Sequence, residues 1–142
     1  MCLLASPAMD VAQALADLLE VGPQLEAAAV FRGAEVLGAV GVDDEGAGRI
    51  VGDAGRLLDL AGELRGDGVR ATQIRASLAG GGVYVVREAE GDRAVVALAA
   101  RGATPGLVFY DLKRCLAAVA EEPPKPRRRR TTKKEEEPGD AA

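Results

Sequence analysis

The sequence predicts an α+β domain built on one antiparallel five-stranded sheet, with elements in the order α-β-β-α-β-β-β-α. Three observations carry this. The stretch from Gly82 to Glu122 reads as two apolar strands and a helix: Val83-Tyr84-Val85-Val86 turns through Glu90-Gly91-Asp92 into Ala94-Val95-Val96-Ala97-Leu98, and an amphipathic run starts at Leu107-Val108 after a loop closed by Pro105-Gly106. Two earlier segments repeat apolar residues at helical spacing. Between and after them lie short runs rich in Val, Ile and Ala, bounded by glycines.

Taken in order, Ser6 and Pro7 offer a cap and first helical position, and Val11, Ala14, Leu15, Leu18 and Leu19 then recur at helical spacing until Gly22-Pro23. Ala27 to Phe31 is an all-apolar strand, and Arg32-Gly33-Ala34 turns it into Val36 to Val40. An acidic, Gly-rich loop from Asp43 to Gly48 follows. The second helix is expected from about Arg49 to Leu64, with Ile50, Ala54, Leu57, Leu58, Ala61 and Leu64 on its buried face and Gly66-Asp67-Gly68 as its stop. Thr72, Ile74, Ala76 and Leu78 alternate with Gln73, Arg75 and Ser77, the mark of a strand with one polar face. Gly80, Gly81 and Gly82 lead into the next strand. The last helix is expected to bury Val108, Leu112, Cys115, Leu116 and Val119.

A chain of 142 residues has room for one modest core, and its very low aromatic content means that the core is made of Ala, Val, Leu and Ile. No stretch approaches the ~20 apolar residues of a membrane helix, and the first residues lack the basic region of a signal peptide, so a cytoplasmic protein is expected. Two cysteines, Cys2 and Cys115, make no disulfide framework. The dominance of Arg over Lys with abundant Ala and Gly suggests a GC-rich bacterial genome. Met9 is an alternative start to Met1.

With no histidine in the chain, imidazole bases, Ser-His or Cys-His pairs and His-bearing metal sites are excluded. Two distant cysteines make no zinc site. No catalytic residue, metal ligand or cofactor-binding residue is assigned. Gly46-Ala47-Gly48-Arg49-Ile50-Val51-Gly52 has the look of a dinucleotide loop, but antiparallel hairpins follow it, and Asp43, Asp44 and Glu45 would repel a pyrophosphate.

Charge divides the chain. Residues 1–122 carry a net −7 and residues 123–142 a net +3. The expected organisation is a lead over 1–9, a domain over 10–122 and a disordered charged tail over 123–142, where no apolar side chains offset the entropy of ordering. Arg127, Arg128, Arg129 and Arg130 with Lys133 and Lys134 could meet nucleic acid or an anionic surface electrostatically. No aromatics interleave them and Glu135 to Glu137 partly cancel them, so a nucleic-acid partner is not expected. Thr131 and Thr132, directly after the arginines, are candidate phosphate acceptors. A solubilising or self-docking tail is the other reading.

The Gly82-to-Arg87 strand and the Gly106-Leu107-Val108 helix start resemble the roadblock/dynein-light-chain family of small dimerising regulatory domains, a likeness that spans roughly Asp10 to Glu122. The resemblance implies a profilin-like layout with helices on both faces of the sheet and strand order 2-1-5-4-3. That order puts the unbroken first and fifth strands in the middle and the alternating third at an edge. It further implies a non-enzymatic homodimer that regulates or scaffolds a small Ras-like GTPase; the alternatives are a sensory or scaffolding module without one, or a weak binder of nucleic acid or an anionic surface through the tail. The chain departs from the family in a shorter first hairpin and a glycine-rich second helix.

That helix and the third strand are the expected interface. At 100° per residue, Gly48, Gly52, Gly55 and Gly62 fall within about 80° of one another, placed here opposite the apolar face, with Val51 and Leu58 flanking them. Each glycine costs a helix interior about 1 kcal/mol relative to Ala, which makes sense where another backbone passes close by; the plainer reading is the composition of a GC-rich genome. Thr72, Ile74, Arg75 and Ala76 supply the edge-strand part of the interface.

Overall fold

The computed structural model describes residues 10–120. Its elements are α1 (Val11–Val21), β1 (Leu25–Arg32), β2 (Glu35–Val40), α2 (Asp44–Arg65), β3 (Gln73–Leu78), β4 (Gly81–Arg87), β5 (Arg93–Ala100) and α3 (Pro105–Ala120). All eight expected elements are present in the expected order. The Ser6–Pro7 start lies outside the described residues. The described α1 begins at Val11, because the Asp10 carboxylate accepts the Gln13 backbone N–H at 2.8 Å and caps it.

The five strands form one antiparallel sheet in the order β2-β1-β5-β4-β3. Central β1 and β5 are buried along most of their length, whereas edge strand β3 alternates between half-buried and exposed residues until its exposed end. The registers Ile74↔Val85, Val85↔Val96 and Val96↔Ala29 run one apolar row across the sheet. That row faces α2. The next row, Gln73, Val86, Val95 and Val30, points the other way.

Each face therefore has its own core. On one, α1 and α3 bury Leu15, Leu18, Leu112, Leu116 and Val119 against Val30, Val86 and Val95. Tyr84 and Phe109 meet edge to face there, with ring centroids 5.2 Å apart. On the other, α2 lays Val51, Ala54 and Leu58 over Ala29, Phe31, Val85 and Val96. All five residues expected inside α3 are buried.

Two boundaries differ from expectation. The acidic segment from Asp44 to Gly48 is the first turn of α2 rather than a loop, since the Asp43 side chain accepts the Gly46 N–H at 2.8 Å and Asp44 and Glu45 suit the helix N-terminus. Pro105-Gly106 likewise opens α3 instead of closing the loop before it; a proline at the first helical position forgoes an N–H that has no helical partner anyway. Gly66 ends α2 as expected, in the left-handed conformation at φ 79°.

Candidate functional site

The surface of α2 is set by which of its faces the sheet takes. Ala47, Val51, Ala54 and Leu58 follow one another at four- and three-residue steps and are buried. Val51 and Leu58 are only 1% and 3% exposed, so they are core residues and not the apolar border of an interface. With the buried stripe centred on these four, the arithmetic of 100° per residue puts Gly48, Gly52, Gly55 and Gly62 about 50° to 130° to one side of it. The glycines flank the buried face; they do not oppose it. Ile50, Leu57, Ala61 and Leu64, expected to be buried, form the other flank, and Leu64 is 80% exposed.

The two flanks look in different directions. A Cβ added at Gly48, Gly52 or Gly55 would meet nothing within 4 Å, and one at Gly62 would meet only the Val69 carbonyl oxygen at 3.6 Å. This flank borders a groove of about 340 Å³ whose far wall is the β1–β2 turn at Gly33 and Ala34. A wider groove continues from it past Arg32, Asp59, Arg70 and Arg87. The arginines there have structural work. Arg87 donates twice to the Ala71 carbonyl, at 2.7 and 3.0 Å, while Arg70 donates to the carbonyls of Glu88 and Gly91. Burial, and then the nearby Arg70 guanidinium, lower the Arg87 pKa from its ordinary value.

The opposite flank of α2 faces β3 and β4. The helix crosses β2, β1 and β5 and covers Val85 of β4, but Ile74, Ala76, Val83 and Leu98 on that side of the sheet stay half-buried. Thr72 and Arg75 are exposed, and Arg75 lies on the α3 side with Tyr84, away from Ile74 and Ala76. Leu64 adds apolar surface from this flank of α2, while Leu60 (52% exposed) lies about 150° from the buried stripe and faces solvent. Ile74 and Ala76 thus share the sheet face that α2 lies on, Ile74 packing against the α2 core, while the glycine flank turns toward the β1–β2 turn. Sequence reasoning missed Leu60 and Leu64 as surface residues. The available signal was an apolar arc in α2 wider than a single sheet contact needs.

No group of three or more Cys, Asp or Glu side chains that could hold a metal ion occurs among the described residues. The Gly46-to-Gly52 stretch is helix, and the carboxylate of Asp43 accepts the Gly46 N–H at its start. Buried Cys115 donates to the Ala14 carbonyl at 3.8 Å, and burial pushes its thiol up to about 11. Thr131, Thr132 and Arg127 to Arg130 lie outside the described residues, and no helix among those described is long and apolar enough to cross a membrane.

No family model and no curated protein matches the chain in sequence. Solved structures do match its shape. A roadblock/LC7 domain from Streptomyces avermitilis superposes with a TM-score of 0.69 at 22% identity, over 80% of this chain and 95% of that one. The gliding protein MglB from Thermus thermophilus gives 0.61 at 22% identity over 84% and 93%, and MglB of Myxococcus xanthus gives 0.62 at 12% identity over 78% and 92%. Element order, strand order and these superpositions agree, and the chain is a domain of the roadblock/LC7 fold.

Proposed function

We propose that this protein is a non-enzymatic regulator or scaffold that acts as a homodimer, with a small Ras-like GTPase as its partner. The observation that carries the dimer is the half-buried apolar strip of β3 and β4 beside α2: Ile74, Ala76 and Val83 on the sheet and Leu64 on the helix, next to a free strand edge. A second copy, adding its β3 edge to edge, would cover that strip and pair the backbone groups of both edges. An MglB structure with a tetrameric arrangement is among the folds this chain matches, at a TM-score of 0.62 and 22% identity, which supports self-association as a property of the fold. The GTPase follows from the roadblock resemblance. The open glycine flank, Gly48, Gly52, Gly55 and Gly62, points away from the β3 strip and is the surface left for that partner in such a dimer.

Light scattering of the full chain at tens of micromolar tests the dimer. Twice the monomer mass is expected, falling to the monomer mass in Ile74→Arg with unchanged circular dichroism; a monomer at the outset sinks the reading. Affinity capture from the native cell tests the partner. Recovery of a small GTPase supports it, while capture of a sensor kinase or scaffold component without one favours the module that works independently of GTPases.

A further inference from the structure

The α1–α3 face carries a groove that neither the dimer nor the GTPase surface uses. Its floor is Ala14, Leu18, Cys115 and Ala118, its volume is about 280 Å³, and Asp17, Glu20 and Asp111 stand along it. No basic residue occurs in α1, whose carboxyl end adds the negative pole of the helix to Glu20. The described ion pairs are Arg32–Glu35, Arg56–Asp53 and Arg65–Asp67, so these three carboxylates have no cationic partner among the described residues. The groove's own cation, Arg114, lies over the Tyr110 ring at 5.8 Å.

We propose that the basic run Lys125 to Lys134 of this chain's own carboxyl-terminal segment docks along this groove. The run holds seven cations and no acid, within a chain whose first 122 residues carry a net −7. Its place is favourable. The segment leaves α3 at Ala120, two residues past groove-lining Ala118. Since α1 leads into β1 and α3 follows β5, β1's antiparallel neighbour, the two helices run in opposite senses and the groove extends back from the end of α3 toward Glu20. An extended chain covers at most about 3.6 Å per residue, so Lys125 can reach about 18 Å from Ala120, beyond the ~11 Å of helix between Ala118 and Asp111. The carboxylates of α2, the other acidic element, lie across the sheet, and two of its three arginines are engaged in ion pairs.

Trypsin cuts after the arginines of this run, so its rate on the full chain reads how often the run is undocked. At low salt, cleavage at Arg127 to Arg130 is expected to be at least about fivefold slower than in a free peptide of residues 121–142, and equal to it at about 0.5 M salt, where charges are screened beyond about 4 Å. The variant Asp17→Asn, Glu20→Gln, Asp111→Asn should lose the protection while keeping its circular dichroism. Cleavage of the unaltered chain at the peptide's rate overturns the proposal, and so does protection that survives the triple substitution. Should the variant fail to fold, a carbodiimide cross-link from Lys125 to Glu20 or Asp111 in the unaltered protein supports the docking and its absence overturns it. Cross-links joining heavy- to light-isotope copies in a mixed sample would assign the groove to another molecule's tail and overturn the docking within one chain.

Discussion

Gly38 of β2 lies directly beneath Val11, the first residue of α1: a Cβ built on Gly38 would stand 2.5 Å from Val11 Cγ1 and 3.3 Å from its Cβ. Rotating the valine does not relieve the second contact, so α1 itself would have to lift. Gly38→Ala is expected to cost about 1–3 kcal/mol, the usual range for overpacking. Urea unfolding measures it, and Val11→Ala in the same chain should recover part of the loss. An unchanged midpoint for Gly38→Ala would show that the helix yields freely.

Asp43 is the cap that turns an acidic, glycine-rich stretch into helix. Asp43→Ala should destabilise by about 1 kcal/mol, whereas Asp43→Asn, which still offers an oxygen to the Gly46 N–H, should retain most of the stability. Equal losses in the two variants would point to charge rather than the hydrogen bond.

The glycine flank separates two effects on one helix. Gly52 is exposed with open space beyond it, so Gly52→Ala should stabilise the fold by about 0.5–1 kcal/mol through helix propensity. Gly55→Leu should leave the dimer intact, because it points away from β3, yet weaken partner capture. Loss of self-association in Gly55→Leu would place the copy–copy contact on the glycine flank and contradict the β3 strip as the interface.

Cys115 supplies a pH dependence. Burial, with a smaller contribution from Asp17, raises the thiol from 9.0 to about 11 in the folded chain. Between those values the unfolded chain has released the proton and the folded chain still holds it, so stability is full below about pH 9 and falls as pH rises toward 11, by up to about 3 kcal/mol. Urea midpoints from pH 8 to 10.5 should fall more steeply in the parent than in Cys115→Ala. Parallel slopes would remove the thiol from the account. In a Cys2→Ser background, iodoacetamide at pH 8 should label the folded protein far more slowly than the urea-unfolded one.

The sequence by itself determined the elements and their order, because strand and helix periods and glycine punctuation are local properties written in consecutive residues; the central place of β1 and β5 came from the strand order that the family resemblance implied, with which their unbroken apolar runs agree. It also located the buried face of α3, where Val108, Leu112, Cys115, Leu116 and Val119 form one unambiguous stripe. In α2 the sequence offered two apolar arcs, one through Val51, Ala54 and Leu58 and another through Ile50, Leu57, Ala61 and Leu64. Nothing local chooses between them. The sheet chose the first, since Phe31, Val85 and Val96 had to be covered, and that choice turned the glycines sideways toward Gly33 and left Leu64 exposed. Only tertiary structure could decide which way the glycine stripe turns relative to β3, because a helix's rotation about its own axis is set by what it packs upon.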